Sequence, residues 1–311
     1  MSESVKIGKK DLSVTVAGVK FPNPVIAASG TYGFGQDYTD LYPLKVLGGI
    51  SCKGTTINPK DGNPAPRIAE TPAGMLNSVG LQNPGVDVFI SEHLPKAKRD
   101  GNIIIANIAG ATLDDYRAVA EKLDGTDVDM IELNISCPNV KQGGASWGIS
   151  CDGAATVTKA VRAVTKKPLM VKLTPNVTNI TEIAKAAEAE GADCLSLINT
   201  LLGMRIDIKT RRPILKNNVG GFSGPAVFPV AVRMVWQVVN AVGIDVVGLG
   251  GITTAEDAVE MMMAGAKAVQ VGTAIFTDPY APVRIIEGLE SYMEENNLNS
   301  LEEIVGTVQP W

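Results

Sequence analysis

Histidine is almost absent from this chain: His93 is the only one among 311 residues. Catalytic triads with a histidine base and metal sites built from several histidines are therefore poor candidates for its chemistry. The four cysteines, at positions 52, 137, 151 and 194, include no CxxC pair, which argues against an iron–sulfur cluster or a structural zinc site in this chain. The chemistry must then come from cysteine, lysine, amide side chains and a bound cofactor.

Long apolar runs and an excess of positive charge are also missing. Arg233, Gln237 and Lys267 interrupt the most apolar stretches, so that no run is long enough to cross a bilayer. Residues 1–14 lack the apolar core of a signal peptide. The net charge of −5 provides no basic surface for nucleic acid or an anionic membrane. The sequence predicts a cytoplasmic protein that has neither a membrane nor a nucleic acid as partner.

Eight apolar, strand-like segments recur along the chain, and most end in a polar or glycine-rich tip. Helical patterns separate most of them, which predicts a parallel sheet covered by helices. Eight such units favour an α/β protein with a closed (β/α)8 TIM barrel. An open doubly wound sheet is the alternative, but no GxGxxG follows the first strand. The predicted strands are Val25–Ala28, Gly49–Cys52, Ile103–Ala106, Met130–Leu133, Leu169–Val171, Cys194–Leu197, Val246–Leu249 and Ala268–Val271.

Two of the connections are too long to be simple loops or single helices. Residues 54–101 and 201–245 are predicted to be insertions over the C-terminal mouth of the barrel that carry short strands of their own. The first contains an amide- and glycine-rich run at residues 77–85. No linker or low-complexity segment separates any part of the chain, so residues 1–311 are predicted to form a single domain.

Three helix ends carry recognisable capping signals. Thr253 and Glu256 have the spacing of a capping box at a helix N-terminus. Gly191 and Gly265 each follow a helical run, which predicts C-terminal caps.

Glycines follow the last two predicted strands, where barrels of this class frequently bind a phosphate. Gly250 and Gly251 follow the seventh strand, and Gly272 and Thr273 follow the eighth. Their backbone N–H groups are free of bulky side chains and can approach an anion closely. Tight turns would explain either pair alone, whereas both pairs together favour a phosphate site.

Lysines and asparagines stand at the ends of the other strands. Lys53 and Lys172 end apolar strands, where a buried lysine needs an anionic partner, although a lysine that extends to the surface is the usual alternative. Asn107, Asn134 and Asn199 add donors and acceptors suited to a planar polar ring. Each asparagine alone could be a turn residue. Together, these side chains indicate a bound anion or an electron-rich cofactor.

The run ELNISCPNV at residues 132–140 places a thiol beside amides. The predicted strand Met130–Leu133 leads into Asn134, and Cys137 follows in a loop, the kind of segment that commonly carries catalytic groups. A buried structural cysteine is the alternative for a lone cysteine.

Nine motifs occur in order: ASG (28–30), NSVGLQNPG (77–85), ANIAG (106–110), ELNISCPNV (132–140), VKLTPN (171–176), INT (198–200), FSGPA (222–226), GLGGI (248–252) and QVGTA (270–274). Along essentially its full length, the chain therefore resembles the dihydroorotate dehydrogenases, the flavin enzymes of pyrimidine synthesis. The nine motifs in this order are highly specific as a set.

The resemblance implies that FMN lies in the barrel mouth and that no metal is bound by this chain. It places the phosphate of FMN at Gly224, Gly250, Gly251, Gly272 and Thr273, and the rest of the cofactor at Ala28, Ser29, Lys53, Gly54, Asn107, Asn134, Lys172 and Ile198. It places dihydroorotate or orotate at Lys53, Asn77, Ser78, Val79, Gly80, Leu81, Asn134, Asn199 and Thr200. Cys137 is implied to be the base that removes the proton from C5 while a hydride leaves C6 for the flavin.

The resemblance also indicates a type within the family. Membrane-bound, quinone-using members carry an amphipathic N-terminal extension and a serine base, and this sequence shows neither. Among cytosolic forms, GLQNPG and INTLLGMRIDIKTRRPIL resemble the NAD-linked forms more than the fumarate-using homodimers. That implies a partner subunit with FAD and an iron–sulfur cluster that passes electrons to NAD⁺, in a heterotetramer built on a homodimer of this chain.

Five other functions are alternatives. A fumarate-linked dihydroorotate dehydrogenase is the nearest. An FMN-dependent dihydropyrimidine dehydrogenase acting on dihydrouracil, or an enzyme for dihydrouridine in RNA, has the same fold, although the negative charge argues against RNA. A barrel aldolase would use Lys53 or Lys172 as a Schiff-base nucleophile. A non-catalytic flavin-binding barrel would not need the Cys137 loop.

Overall fold

The structure is a computed structural model, and it describes residues 10–136 and 147–311. Eight parallel strands close into a barrel, which confirms the predicted fold. Every predicted strand is present, and its ends lie within two residues of the predicted ones. The barrel strands are β1 (Val25–Ala27), β2 (Gly49–Ser51), β3 (Ile104–Ile108), β4 (Met130–Asn134), β5 (Leu169–Lys172), β6 (Cys194–Leu197), β7 (Asp245–Leu249) and β8 (Ala268–Val271).

The strands read as nearly continuous apolar runs because both of their faces are buried. The barrel interior covers one face and the surrounding helices cover the other, so the alternation expected of a half-exposed strand disappears. All five residues of β4 and all four of β5 are buried. Pairing of β8 with β1, in which Val269 lies opposite Val25, closes the ring.

Helices follow the barrel strands and face them with an apolar stripe. Leu113–Asp124, for example, buries Tyr116, Val119, Ala120 and Leu123, which recur at helical spacing. The helices are Val86–Val88, Phe89–His93 and Leu94–Lys98 in direct succession, Leu113–Asp124, Cys151–Arg162, Ile180–Ala189, Phe228–Val239, Ala255–Met263, Ala274–Thr277 and Ala281–Glu295. Single 3₁₀ turns occur at Gln36–Tyr38, Leu44–Val46, Pro225–Val227 and Leu301–Ile304.

The capping box of the helix Ala255–Met263 begins one residue later than predicted. Thr254 accepts a hydrogen bond from the backbone N–H of Asp257 at 3.2 Å, and the Asp257 carboxylate accepts one from the Thr254 N–H at 2.9 Å. The prediction of Thr253 with Glu256 was wrong because the run TTAED offers two pairs with the same spacing.

The two predicted C-terminal caps are confirmed. Gly191 and Gly265 have φ angles of 95° and 113°, which lie in the left-handed region that favours glycine. Gly191 directly follows Glu190, the C-cap of one helix, and Gly265 directly follows Ala264, the C-cap of the other.

The two insertions carry short strands, as predicted, and they meet in one antiparallel sheet. Ile68–Thr71 and Gly74–Asn77 come from the first insertion, and Leu201–Gly203 and Gly220–Ser223 come from the second. The register places Asn77 opposite Gly221, so the first insertion is anchored to the second. A separate pair joins Ile206–Asp207 to Arg212–Pro213.

A hairpin that the sequence did not predict lies at the opposite end of the barrel. Its strands are Val14–Val16 and Val19–Phe21. The N–H of Ala17 in its turn donates to the Asp245 carboxylate, at the start of β7, at 2.9 Å. Within the described part of the chain, no helix is both long and apolar enough to cross a membrane.

Candidate active site

A cavity of about 430 Å³ opens at the C-terminal ends of the barrel strands. The strand ends supply one part of its wall, and the insertion sheet supplies the other through Met75, Asn77, Phe222 and Ser223. A cavity of this size accommodates a small organic cofactor together with a small substrate. Its position is where barrel enzymes build their sites.

Most of the residues predicted for the site line this one cavity. They are Ala28, Ser29, Lys53, Gly54, Asn77, Val79, Gly80, Leu81, Asn134, Lys172, Ile198, Asn199, Thr200, Gly250, Gly251, Gly272 and Thr273. Ser78, Asn107 and Gly224 are not part of its wall. Cys137, the predicted base, lies outside the described residues.

The glycines after β7 form a cradle that a side chain would fill. Gly250 and Gly251 have φ angles of 123° and 80°, which disfavour any residue with a Cβ. A Cβ on Gly251 would lie 2.8 Å from the backbone nitrogen of Phe228 and 2.9 Å from the carbonyl oxygen of Gly224. Gly224 thus shapes the cradle from behind. Exposed backbone N–H groups in such a turn fit a phosphate group.

The cavity wall beside β4 is a fixed set of amides. The side-chain oxygen of Asn134 accepts from the Ser136 backbone N–H at 3.2 Å and from its hydroxyl at 3.0 Å. The Ser136 hydroxyl oxygen in turn accepts from the Asn199 amide at 2.7 Å, and the Asn199 side-chain oxygen accepts from the Thr200 N–H at 2.8 Å. These bonds determine which end of each amide acts as donor and which acts as acceptor. They also anchor the chain at Ser136, the residue before Cys137.

A buried carboxylate, Glu132, lies inside the barrel in the middle of β4, two residues before Asn134. Its side chain is completely buried. Four side chains donate hydrogen bonds to it: Ser51 at 2.6 Å and Asn107 at 2.6 Å to one oxygen, and Ser196 at 2.8 Å and Gln270 at 2.9 Å to the other. The donors come from β2, β3, β6 and β8, so this cluster, the Glu132 network, connects strands on all sides of the barrel.

Lys172 supplies the positive charge that balances Glu132. Its Nζ lies 4.0 Å from a carboxylate oxygen of Glu132, and its side chain is only 5% exposed. Burial raises the pKa of Glu132, but the charge of Lys172 and the hydrogen bonds outweigh burial and hold that pKa below its ordinary value. The carboxylate is therefore ionised, and a cationic lysine lies at the cavity wall.

The sequence interpretation missed the Glu132 network. A signal was present, because an ionisable residue inside an apolar strand (MIELN) is rare unless it is paired. The other missed wall residues are Gly30, Thr31, Arg67, Ile68, Met75, Phe222, Ser223, Val227, Leu249, Gln270 and Phe276.

The described cysteines do not supply a reactive thiol to the cavity. Burial raises the pKa of Cys52 to about 12 and that of Cys194 well above its usual range. Cys151 is exposed and does not line the cavity. In residues 10–136 and 147–311, no group of three or more histidine, cysteine or acidic side chains could hold a metal ion.

Known proteins similar to this chain agree on one family. The family model "Dihydroorotate dehydrogenase" matches residues 11–293. Proteins named dihydroorotate dehydrogenase B (NAD(+)), catalytic subunit, are 55% identical in Geotalea uraniireducens, over 97% of this chain and 99% of the relative, and 56% identical in Alkaliphilus metalliredigens, over 96% and 99%. A crystal structure of DHODH from Eimeria tenella in complex with ferulenol has a TM-score of 0.81 at 24% identity, over 96% of this chain and 88% of that one. This last likeness supports the barrel fold.

Proposed function

This chain belongs to the dihydroorotate dehydrogenase family, and on that premise we propose that it oxidises dihydroorotate to orotate in pyrimidine biosynthesis, with FMN as its cofactor. The observation that carries the proposal is the convergence of a glycine cradle, two lysines and a set of fixed amides on one cavity. Each of these features suits one part of the two ligands. The cradle suits a phosphate, and the amides suit planar rings with alternating donors and acceptors.

The chain's residues divide between the two ligands. Gly250, Gly251 and Gly272 would hold the phosphate of FMN, and Thr273, whose hydroxyl donates to Ser223 at 2.8 Å, would hold it from the side. Lys172 would stabilise negative charge on the ring. When bound, FMN supplies the acceptor for the hydride that leaves the substrate.

The substrate requires a cation for its carboxylate and amides for its ring. Lys53, at the end of β2, would pair with the carboxylate. The Asn134 amide nitrogen would donate to a ring carbonyl group, and Asn199 and the segment 77–81 would donate to and accept from the ring carbonyl and N–H groups. The hydrogen bonds described above fix Asn134 and Asn199 before any ligand binds, which reduces the entropy lost on binding.

Cys137 is proposed as the base that takes the proton from C5 of dihydroorotate. The support is the anchored position of Ser136, the residue before the cysteine, which is hydrogen-bonded to the cavity residues Asn134 and Asn199. A thiolate is a competent base near neutral pH because the unperturbed pKa of cysteine is about 8.5.

A partner subunit is proposed to take the electrons onward to NAD⁺. The relatives are named as NAD(+)-linked catalytic subunits, which supports a separate electron-transfer subunit. We propose that this partner carries FAD and an iron–sulfur cluster, and that two copies flank a homodimer of this chain in a cytoplasmic heterotetramer. The same names favour NAD⁺ over fumarate as the final acceptor.

The proposal is tested by the visible spectrum of the purified chain under anaerobic conditions. We expect a flavin spectrum that dihydroorotate bleaches and that NADH alone leaves unchanged, because the route to NAD⁺ lies in the partner. Dihydrouracil serves as the control substrate, since it lacks the carboxylate that Lys53 would bind. A flavin spectrum that dihydroorotate leaves unchanged would contradict dihydroorotate as the substrate. A chain that takes up no FMN would contradict FMN as the cofactor.

Gly251→Ala is expected to weaken FMN binding at least tenfold, because the added Cβ pushes on the backbone of Phe228 and closes the phosphate cradle. Gly18→Ala is the matched control: its φ of 78° is nearly the same as the 80° of Gly251, but a Cβ there meets nothing within 4 Å. The control therefore isolates the backbone strain, which costs about 1–2 kcal/mol. Fluorescence titration of FMN into both apoproteins measures the difference. Equal affinities would show that the cradle does not hold the phosphate.

A further inference from the structure

Gln270 of β8 is buried and lines the cavity, and its side-chain oxygen has no hydrogen-bond partner in the part of the chain that the structure describes. The residue is 1% exposed, and its nitrogen donates to Glu132 at 2.9 Å. Among the described residues, its oxygen Oε1 accepts no hydrogen bond. A buried acceptor without a donor is unfavourable, and a bound ligand or a water molecule can supply the missing donor.

The orientation of this amide cannot be reversed. Turning the amide over would place Oε1 against the ionised carboxylate of Glu132 and replace an attraction by a repulsion between two acceptors. The other hydrogen bonds to Glu132, from Ser51, Asn107 and Ser196, leave its oxygens no freedom to turn away. Gln270 therefore presents an acceptor, and not a donor, from the side of the amide that is turned away from Glu132.

We propose that Oε1 of Gln270 accepts a hydrogen bond from the ring N–H of the bound flavin, N3–H, and that Glu132 is the positioning residue that holds the amide in this orientation. The inference rests on the proposed function, since it takes FMN to be the ligand. The proposal adds to that function a specific hydrogen bond and a reason for its donor and acceptor. The Glu132 carboxylate, inside the barrel, determines that Gln270 presents its oxygen and not its nitrogen at the cavity wall.

The chemistry of the other wall residues fits this assignment. The pyrimidine end of a flavin carries one N–H between two carbonyl groups, so it needs one acceptor flanked by donors. Lys172, whose Nζ lies 4.0 Å from Glu132, is one donor. The Asn134 amide nitrogen is another, because it donates one hydrogen to Asn107 Oδ1 at 3.5 Å and has a second to donate. The Asn134 side-chain oxygen cannot be the acceptor for N3–H, because it already accepts two hydrogen bonds from Ser136. Gln270 supplies this acceptor.

The test compares FMN with 3-methyl-FMN, which cannot donate from N3. Apoprotein is titrated with each ligand by flavin fluorescence, and the ratio of the two dissociation constants is the N3–H preference. In Gln270→Met, which keeps the length of the side chain but removes the acceptor, we expect the preference to fall about tenfold. The steric effect of the methyl group is shared by both proteins and cancels in the comparison.

Ser196→Ala is the matched control for the network. It removes a different hydrogen bond to the same oxygen of Glu132 that Gln270 contacts, and Ser196 does not line the cavity. We expect Ser196→Ala to keep the wild-type preference. Glu132→Gln frees the Gln270 amide to turn over, so the preference is expected to fall as it does in Gln270→Met.

An unchanged preference in Gln270→Met overturns the proposed contact, and a loss in all three variants shows a general effect of the network and overturns it too. An unchanged preference in Glu132→Gln overturns the positioning role alone. Should either variant fail to fold, Gln270→Asn or Glu132→Asp, each one methylene shorter, replaces it with the same expectation. Failure of the wild-type apoprotein to bind either flavin is a different result, because it overturns the proposed function itself.

Discussion

Cys137→Ala is expected to keep FMN and to slow the reduction of the flavin by dihydroorotate about 10²- to 10⁴-fold, the contribution usual for a positioned general base. The variant removes the only group proposed to take the proton from C5. The glycine cradle and the amides fixed by Ser136 remain, so that both ligands still bind. Anaerobic stopped-flow absorbance of flavin bleaching measures this half-reaction within the chain, without the partner.

Cys151→Ala is the control for this experiment. Cys151 is exposed at the start of the helix Cys151–Arg162 and is not a cavity residue, so its loss is expected to leave the bleaching rate at the wild-type value. A fast Cys137→Ala enzyme would contradict the proposed base. A slow Cys151→Ala enzyme would show that loss of a thiol close to Cys137 in the sequence disturbs the site non-specifically.

The barrel could be predicted from the sequence because its signals are local. Each strand is a short apolar run that ends at a polar or glycine residue, and burial of both faces makes that run continuous. Closure of the barrel then brings the strand ends together. The register pairs Asn134 of β4 with Lys172 of β5, two residues that are far apart in the sequence and adjacent on the cavity wall. The predicted wall thus follows from topology once eight strands are recognised.

The insertion sheet could not be predicted in the same way, because its strands pair across long distances in the chain. Met75 lies opposite Ser223, and Leu76 lies opposite Phe222. No local pattern in the sequence shows such a pairing, since these strands are short and only partly buried. Wall residues that belong to this sheet, Met75 and Phe222 among them, were missed for that reason.

The Glu132 network shows a different limit. Glu132 was visible as an acidic residue in an apolar strand, but its partners depend on barrel geometry. The pairing of β3 with β4 places Asn107 directly opposite Glu132, whereas Ser196 and Gln270 reach it across the barrel interior. Asn107 was predicted to meet the cofactor ring, and the structure shows its amide donating to this carboxylate.

Glu132→Gln is expected to lower the free energy of unfolding at pH 7 by about 3–5 kcal/mol, the usual effect of removing one member of a buried ion pair. The substitution leaves Lys172 buried without its counter-charge. It also replaces one of the two carboxylate oxygens by an N–H₂ group. Asn107 donates to one of these oxygens and Gln270 to the other, so that at one of the two positions donors face each other. Glu121→Gln, on the exposed side of the helix Leu113–Asp124, is the control and is expected to change stability by less than about 0.5 kcal/mol. Urea unfolding of the apoproteins, followed by circular dichroism, gives the difference.

The dependence of this difference on pH separates the charge of Glu132 from its packing. The pKa of Glu132 in the folded protein is held below the ordinary value of 4.5, so the ionised carboxylate contributes its stabilisation above that value. As the pH falls below 4.5 and through the lowered pKa of the folded state, wild type must protonate Glu132 and loses this contribution, while Glu132→Gln has nothing to protonate. The stability gap between the two proteins is therefore expected to be constant from pH 7 to about pH 5 and to narrow only in stronger acid. A gap that stays the same at every pH at which wild type remains folded would assign the loss to packing, and equal stabilities at pH 7 would show that the buried pair contributes nothing to the barrel.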